Sequence, residues 1–346
     1  MIIESVALSL PSWEVNNEEV VDLIKHHSKP VFQGDLDRTL RVIDVMLRKT
    51  GAETRFWLNR QKKERPIDFI KQAAEEALTK VNLHKNDIDL LIYVGIGKGF
   101  VEPGESYFVA KALGMDRVRC FDLTDACMSW LAAMQIVNSL FQTKEYKRAM
   151  IINGEFNVHA GSLFKNYTLE KIDQLEHTFP SYTIGEGATC TIVSPLDPNN
   201  FSFDFSSRPD LADLCVIPLP DYEDYADTAE KIKNGAMRFT SFGAKLHEVA
   251  ELEAVKLFRQ MSVNRGDIDI IFTHASSKRE WSKYGENAGI ADKIFHIYQK
   301  TGNLVSASVP AAMSMAIDSG HLKRNNKVMA WVGSAGMSFC GCTFRY

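Results

Sequence analysis

The sequence predicts an α/β protein in which one α/β unit is built twice. Short, almost wholly apolar runs such as Leu90-Leu91-Ile92-Tyr93-Val94 have the pattern of strands buried on both faces of a parallel sheet. These runs alternate with stretches whose apolar residues recur at helical spacing, the arrangement in which helices pack on sheets. The unit around Asn86-Asp87-Ile88-Asp89-Leu90-Leu91-Ile92 also returns about 180 positions later as Gly266-Asp267-Ile268-Asp269-Ile270-Ile271-Phe272.

Taken in order, residues 2–10 read as a strand closed by Pro11, and Asn16 or Asn17 caps a helix through Glu18–Ile24. Residues 28–66 are charged and irregular apart from a helix at 36–47. Pro66 opens a helix at 67–81, which precedes the strand at 87–95. The first half continues with a helix at 105–113, a strand at 119–123, a helix at 129–141 and a strand at 148–153. The second half repeats this order with a helix at 247–261, the strand ending at His274, a helix at 280–289, a strand at 293–297, a helix at 309–319 and a strand at 327–332. The expected division is an N-terminal half, residues 1–200, and a C-terminal half, residues 201–346.

With 346 residues, 45% apolar and 24% charged, the chain can bury a large core, and its net charge of -4 argues against nucleic acid as a partner. No apolar run reaches membrane-spanning length and the N-terminus lacks a signal-peptide pattern, so a cytoplasmic protein without membrane association is expected. The six cysteines have no metal-ligand spacing, Cys340-Gly341-Cys342 having no second pair, so neither a metal nor a bound cofactor is expected.

Three chemically capable residues fall at strand ends. Cys127 sits where the 119–123 strand turns into the following helix, and the unpaired N–H groups and positive dipole end of a helix draw a thiol toward thiolate. His274 ends the repeated strand of the second half, and Asn303 follows the next strand there, in the position of the turn that holds Cys127. Two related halves bring equivalent strand ends to a shared crevice. Cysteine peptidases of the papain type use Cys, His and Asn in this order, but their local signature around the cysteine is absent and a duplicated α/β chain is the wrong architecture.

The segments Ala126-Cys127, Thr273-His274-Ala275-Ser276 and Gly302-Asn303-Leu304-Val305-Ser306-Ala307-Ser308-Val309-Pro310 resemble the three active-site segments of β-ketoacyl-acyl-carrier-protein synthase III. Leu10-Pro11, Val15-Asn16-Asn17-Glu18, Lys49-Thr50-Gly51 with Arg55, Gly185-Glu186-Gly187-Ala188 and Gly333-Ser334-Ala335-Gly336 extend the similarity along nearly the whole chain. The resemblance implies a thiolase fold with duplicated halves in αβαβα layers, a homodimer, and a two-stage condensation. Cys127 would take an acyl group from a CoA or carrier-protein thioester, while His274 and Asn303 would hold a malonyl thioester as it decarboxylates. The backbone N–H groups of Cys127 and Ala335 would form the oxyanion hole. The Gly185–Ala188 turn is expected to serve tight backbone packing rather than chemistry.

The chain departs from the family at Met128-Ser129-Trp130, where bulk reshapes the acyl pocket or fills the core, and at His274-Ala275-Ser276-Ser277, where a supporting amide is lost. Val45 stands for a tryptophan that stacks on the CoA adenine, and Lys49 for an arginine; the two cations are not equivalent phosphate binders. These changes suggest a specialised secondary-metabolite or polyketide relative of the fatty-acid enzyme. The acidic acyl carrier protein, its expected partner, calls for a local basic patch, and Lys278, Arg279 and Lys283 are the candidates. Two other readings keep the fold: acyl transfer to an alcohol or amine without decarboxylation, and a non-catalytic partner subunit.

Overall fold

Strand Leu90–Val94 sends Leu90, Ile92 and Val94 to one face and Leu91 and Tyr93 to the other, and all five are buried. A strand without a solvent face needs cover on both sides. A computed structural model, which describes residues 1–346 apart from 160–162, 196–199, 227–231 and 233, shows how that cover is supplied. Leu90, Ile92 and Val94 pack with Trp130, Met134 and Val137 of helix Ser129–Leu140 and with Val309, Ala312 and Met313 of helix Ser308–Asp318. The same cluster continues into Ile270, Phe272, Val328 and Ala330 of a second sheet, so these two helices form the middle layer between sheets. Leu91 and Tyr93 face helices Pro66–Lys80 and Glu105–Leu113, while Ile271, Met329 and Trp331 face helices Gly243–Gln260 and Lys278–Ala288. The result is five layers, αβαβα.

The first sheet runs Ile2–Ser9, Gly187–Ser194, Ala149–Glu155, Leu90–Val94, Arg119–Leu123. The second runs Ser202–Ser207, Ser338–Arg345, Lys327–Ser334, Ile270–Thr273. Laid side by side, the four strands of the second sheet follow the order of the first four strands of the first, which is the duplication seen at structural level. Among the described residues Arg119–Leu123 has only the Ile271–Ile294 bridge as its counterpart. Both sheets are mixed, which corrects the expectation of purely parallel ones. Leu90–Val94 pairs in parallel with Arg119–Leu123 and Ala149–Glu155, and Ile270–Thr273 with Lys327–Ser334. The hairpin Lys327–Ser334 with Ser338–Arg345, the pair of that hairpin with Ser202–Ser207 and the pairs made by Gly187–Ser194 are antiparallel. The expected strand at 293–297 is also corrected: the chain there makes a turn at Ala291–Lys293 and one parallel bridge, Ile271 to Ile294. Lys293 reaches back to the carbonyls of Arg265 and Ile268 and the chain enters helix Tyr298–Thr301 directly, leaving too little extended backbone for a ladder.

The charged 28–66 region is more regular than its composition suggests. Asn16 forms a reciprocal capping box with Glu19 that starts helix Asn17–Ser28, and Asp35 caps helix Leu36–Thr50. Trp13–Asn16 pairs with Thr54–Trp57, and the buried Arg55 donates to the carbonyls of Val15 and Tyr182 and to Asn17 Oδ1. Each large apolar side chain in the middle layer contributes about 1.5–3 kcal/mol on burial, against about 0–1 kcal/mol for an exposed ion pair. The inter-sheet helices therefore hold the halves together, and the strand ends of both halves open at their N-termini.

Candidate active site

Strand Arg119–Leu123 passes through a tight turn, Ala126–Met128, into helix Ser129–Leu140. Ala126 sits at φ +43°, in the left-handed region that costs an L-residue about 1–2 kcal/mol. Ser129 stabilises that conformation, accepting from Asp125 N–H at 2.8 Å and donating to the Ala126 carbonyl at 2.7 Å. Met128 is buried in the core, and Trp130 is buried with its Nε1–H donating to Thr191 Oγ1 at 3.0 Å. The bulk beside Cys127 thus fills the core.

Cys127 retains partial access to solvent, but its sulfur is enclosed. That enclosure pushes the thiol's pKa well above the ordinary range, reinforced by the nearby Cys215 and Glu155 and opposed by the Ser334 side chain and the Ala335 N–H. The expected drift to thiolate at a helix start is corrected: the resting group is a thiol, because burial outweighs the donors around it. Ala335 is where an oxyanion donor is required, beside the sulfur, and the turn is tied to that loop through Met128 N–H donating to Ser334 Oγ at 3.2 Å.

His274 follows strand Ile270–Thr273 and is buried. Burial, with the neighbouring His247, lowers its pKa to about 3, so the ring is neutral at physiological pH. The Val305 carbonyl draws the ring and also accepts from Ser308 Oγ at 2.8 Å, while Ser308 Oγ lies 3.4 Å from Nδ1. With the hydroxyl proton on Val305, Nδ1 is the donor and Nε2 the acceptor; a hydroxyl turned to Nδ1 leaves Nε2–H as the donor.

Asn303 is latched by backbone bonds to Thr183 and Gly185, and its Oδ1 accepts from Val305 N–H at 2.8 Å. With the oxygen occupied, the amide offers its Nδ2–H₂ edge as donor. Val305, at φ +50°, is an unusual conformation for a β-branched residue, and it lets one peptide unit serve both partners: its N–H holds Asn303 and its carbonyl meets His274. The turn Val305–Ala307 packs directly on the turn Ala126–Met128. Cys127, Ala335, His274 and Asn303 are therefore gathered around one pair of touching turns.

The basic candidates lie elsewhere, exposed on helix Lys278–Ala288 just beyond His274. Lys283 Nζ is 2.6 Å from Glu251 and Arg279 Nε is 3.7 Å from Glu280, so both charges have local counterions. The stem of Lys278 lies against Gly51. Glu186, in the Gly185–Ala188 turn, is buried and accepts from Leu58 N–H and Val158 N–H, and burial pushes its pKa up to about 7. Among the described residues both bonds are to backbone, as packing requires.

Sequence reasoning missed two groups around Cys127. Cys215 carried no signal, being one cysteine among six. Glu155 carried one that went unread, a carboxylate closing the apolar run Ala149–Ile152 at a strand end.

Known proteins resemble this chain in sequence and in fold. Residues 258–346 match the family model for the 3-oxoacyl-[acyl-carrier-protein] synthase III C-terminal region. The β-ketoacyl-[acyl-carrier-protein] synthase III of Clostridium perfringens is 26% identical over 311 residues, covering 87% of this chain and 90% of the relative. That of Natranaerobius thermophilus is 24% identical over 287 residues, covering 80% and 83%. Among solved structures, Xanthomonas campestris OleA with bound lauric acid and lauroyl-CoA superposes with a TM-score of 0.81 at 18% identity, covering 99% of this chain and 98% of OleA. The 3-oxoacyl-[acyl-carrier-protein] synthase III of Aquifex aeolicus superposes with a TM-score of 0.78 at 20% identity, covering 99% of each chain. The fold is the thiolase fold.

Proposed function

We propose that this relative of β-ketoacyl-acyl-carrier-protein synthase III is itself a condensing enzyme, with Cys127 as nucleophile and His274 and Asn303 as donors to the second substrate. The observation that carries the reading is the contact between the Ala126–Met128 and Val305–Ala307 turns, which unites the nucleophile, an oxyanion donor and the His–Asn pair. In the first stage Cys127 attacks the carbonyl of an acyl thioester of CoA or a carrier protein. Backbone N–H groups of Cys127 and Ala335 receive the oxyanion, and the departing thiol leaves with the proton that Cys127 gave up. In the second stage a malonyl-carrier-protein thioester loses its free carboxylate as carbon dioxide, and the resulting enolate attacks the acyl-cysteine. The C–S bond to Cys127 breaks as the C–C bond forms, and the freed sulfur takes up one proton. A neutral His274 suits this stage: when the Ser308 hydroxyl swings from the Val305 carbonyl to Nδ1, the single ring proton sits on Nε2. Nε2–H and Asn303 Nδ2–H then stabilise the enolate oxygen without adding an acid that would quench it.

An acyl carrier protein as partner fits the exposed basic helix beyond His274. The edge strand Arg119–Leu123 and the exposed Phe100, Val101 and Tyr107 beside it support a homodimer. Six free cysteines support a reducing, cytoplasmic setting. Val45, Lys49 and the His274–Ser277 segment support a specialised, secondary-metabolic role.

Incubation with acyl thioesters and malonyl-carrier protein, read by intact mass and carbon dioxide release, tests the reading. An adduct lost in Cys127→Ala, together with carbon dioxide release, is expected. No adduct would leave a non-catalytic subunit, and an adduct without carbon dioxide would leave simple acyl transfer.

A further inference from the structure

Behind the two turns lies a polar network that the reaction above does not use. Glu155 ends strand Ala149–Glu155 and is fully buried. Its Oε1 accepts from Ser306 Oγ at 2.5 Å and from Ser306 N–H at 3.3 Å; its Oε2 accepts from Asn157 Nδ2 at 3.0 Å and from Gly97 N–H at 3.3 Å. The chain of donors continues outward: Ser306 Oγ accepts from Asn153 Nδ2 at 2.9 Å, and Asn153 Oδ1 accepts from Thr189 Oγ1 at 3.0 Å. The backbone is shaped around the carboxyl. Gly95, at φ +112°, has no room for a side chain, because a Cβ there would strike Glu155 Oε1.

From these contacts we infer that Glu155 is a positioning residue for the second stage of the reaction. It clamps Ser306 and so holds the adjoining Val305 peptide, whose N–H orients Asn303 and whose carbonyl lies beside His274 and Ser308. The inference rests on the role of His274 and Asn303 proposed above. Each oxygen faces a backbone N–H that can only donate, Ser306 N–H at Oε1 and Gly97 N–H at Oε2, so a group that accepts at both oxygens suits the site. A glutamine would turn its NH₂ toward donors whichever way the amide faced, leaving buried groups unpaired. The network also crosses the molecule, joining strands of the first half to the turn of the second that carries the catalytic amide. Burial raises the pKa of the carboxyl to about 7 while the Ser306 and Asn157 donors hold it down.

Two variants and three measurements test this. Glu155→Gln is expected to acylate Cys127 with a small acyl thioester at least as fast as the wild type, because loss of the carboxylate charge also eases ionisation of the nearby thiol. Its kcat for carbon dioxide release and condensation should fall about 100-fold, as expected for lost transition-state donors, with KM for the malonyl carrier changed less than about threefold. Ser306→Ala, which removes one hydroxyl and serves if the glutamine variant fails to fold, should lose about tenfold in the same kcat. In hydrogen exchange read by mass spectrometry, peptides spanning 303–308 should exchange faster in both variants while those spanning 129–140 do not. Wild-type condensation in either variant, an equal fall of acylation and condensation, or unchanged exchange at 303–308 overturns the clamp. A wild-type protein that does not condense overturns the proposed function instead, and the exchange result still decides whether Glu155 holds the turn.

Discussion

At Cys127 two effects of opposite sign meet. A helix start favours thiolate, but enclosure of the sulfur favours thiol, and with Ser334 and Ala335 as its hydrogen-bonding partners burial prevails. His274 shows the same force on a base: burial lowers its pKa to about 3. The unfolded chain binds a proton at this histidine below about pH 6.5, whereas the folded chain does so only near pH 3. Between those values the unfolded state holds more protons, so stability falls as pH falls, by up to about 1.4 kcal/mol per pH unit. Urea denaturation of wild type and His274→Gln from pH 7 to 4.5 should therefore show the wild type losing about 2 kcal/mol relative to the variant. A difference that stays constant with pH would show that His274 is not held neutral. The identities of Cys127, His274 and Asn303 as candidates were legible in the sequence because each is a capable group at a strand end. Glu155 was not recognised, since its importance comes from donors at Ser306, Asn157 and Gly97 that are distant in sequence.

Among the elements, helix Lys278–Ala288 separates charges that the sequence presents as equals. Lys283 is within 2.6 Å of Glu251 on the neighbouring helix, whereas Arg279 has only the longer contact with the adjacent Glu280. A docking carrier protein would find Arg279 the more available of the two. Arg279→Glu should raise KM for the carrier-protein substrate severalfold and leave self-acylation by a small thioester unchanged, and Lys283→Glu should raise it less. The reverse order, or an unchanged KM in both, would remove this helix as the docking surface. Most helices and the central strands were readable from periodicity and caps, including the helix at 105–113 and the strand at 119–123. The segment 293–297 misled because its composition suits a strand, while the ladder depends on how the chain returns from helix Lys278–Ala288.

For the whole molecule, the middle layer decides stability. Trp130 lies between the sheets, almost fully buried and hydrogen-bonded to Thr191. Trp130→Ala should cost about 3–5 kcal/mol in equilibrium denaturation, a cavity term added to lost burial. A cost below about 1 kcal/mol would mean that the inter-sheet helices do not clamp the halves. By itself, the sequence determined the alternation of elements, their repetition and the three strand-end residues, because local periodicity and turn chemistry are written in neighbouring positions. Only the tertiary structure decided the mixed pairing of the sheets, the protonation of Cys127 and His274, and the meeting of Ala126–Met128 with Val305–Ala307. Those depend on burial and on contacts between segments more than 170 positions apart, where loop closure and packing, not local propensity, set the outcome.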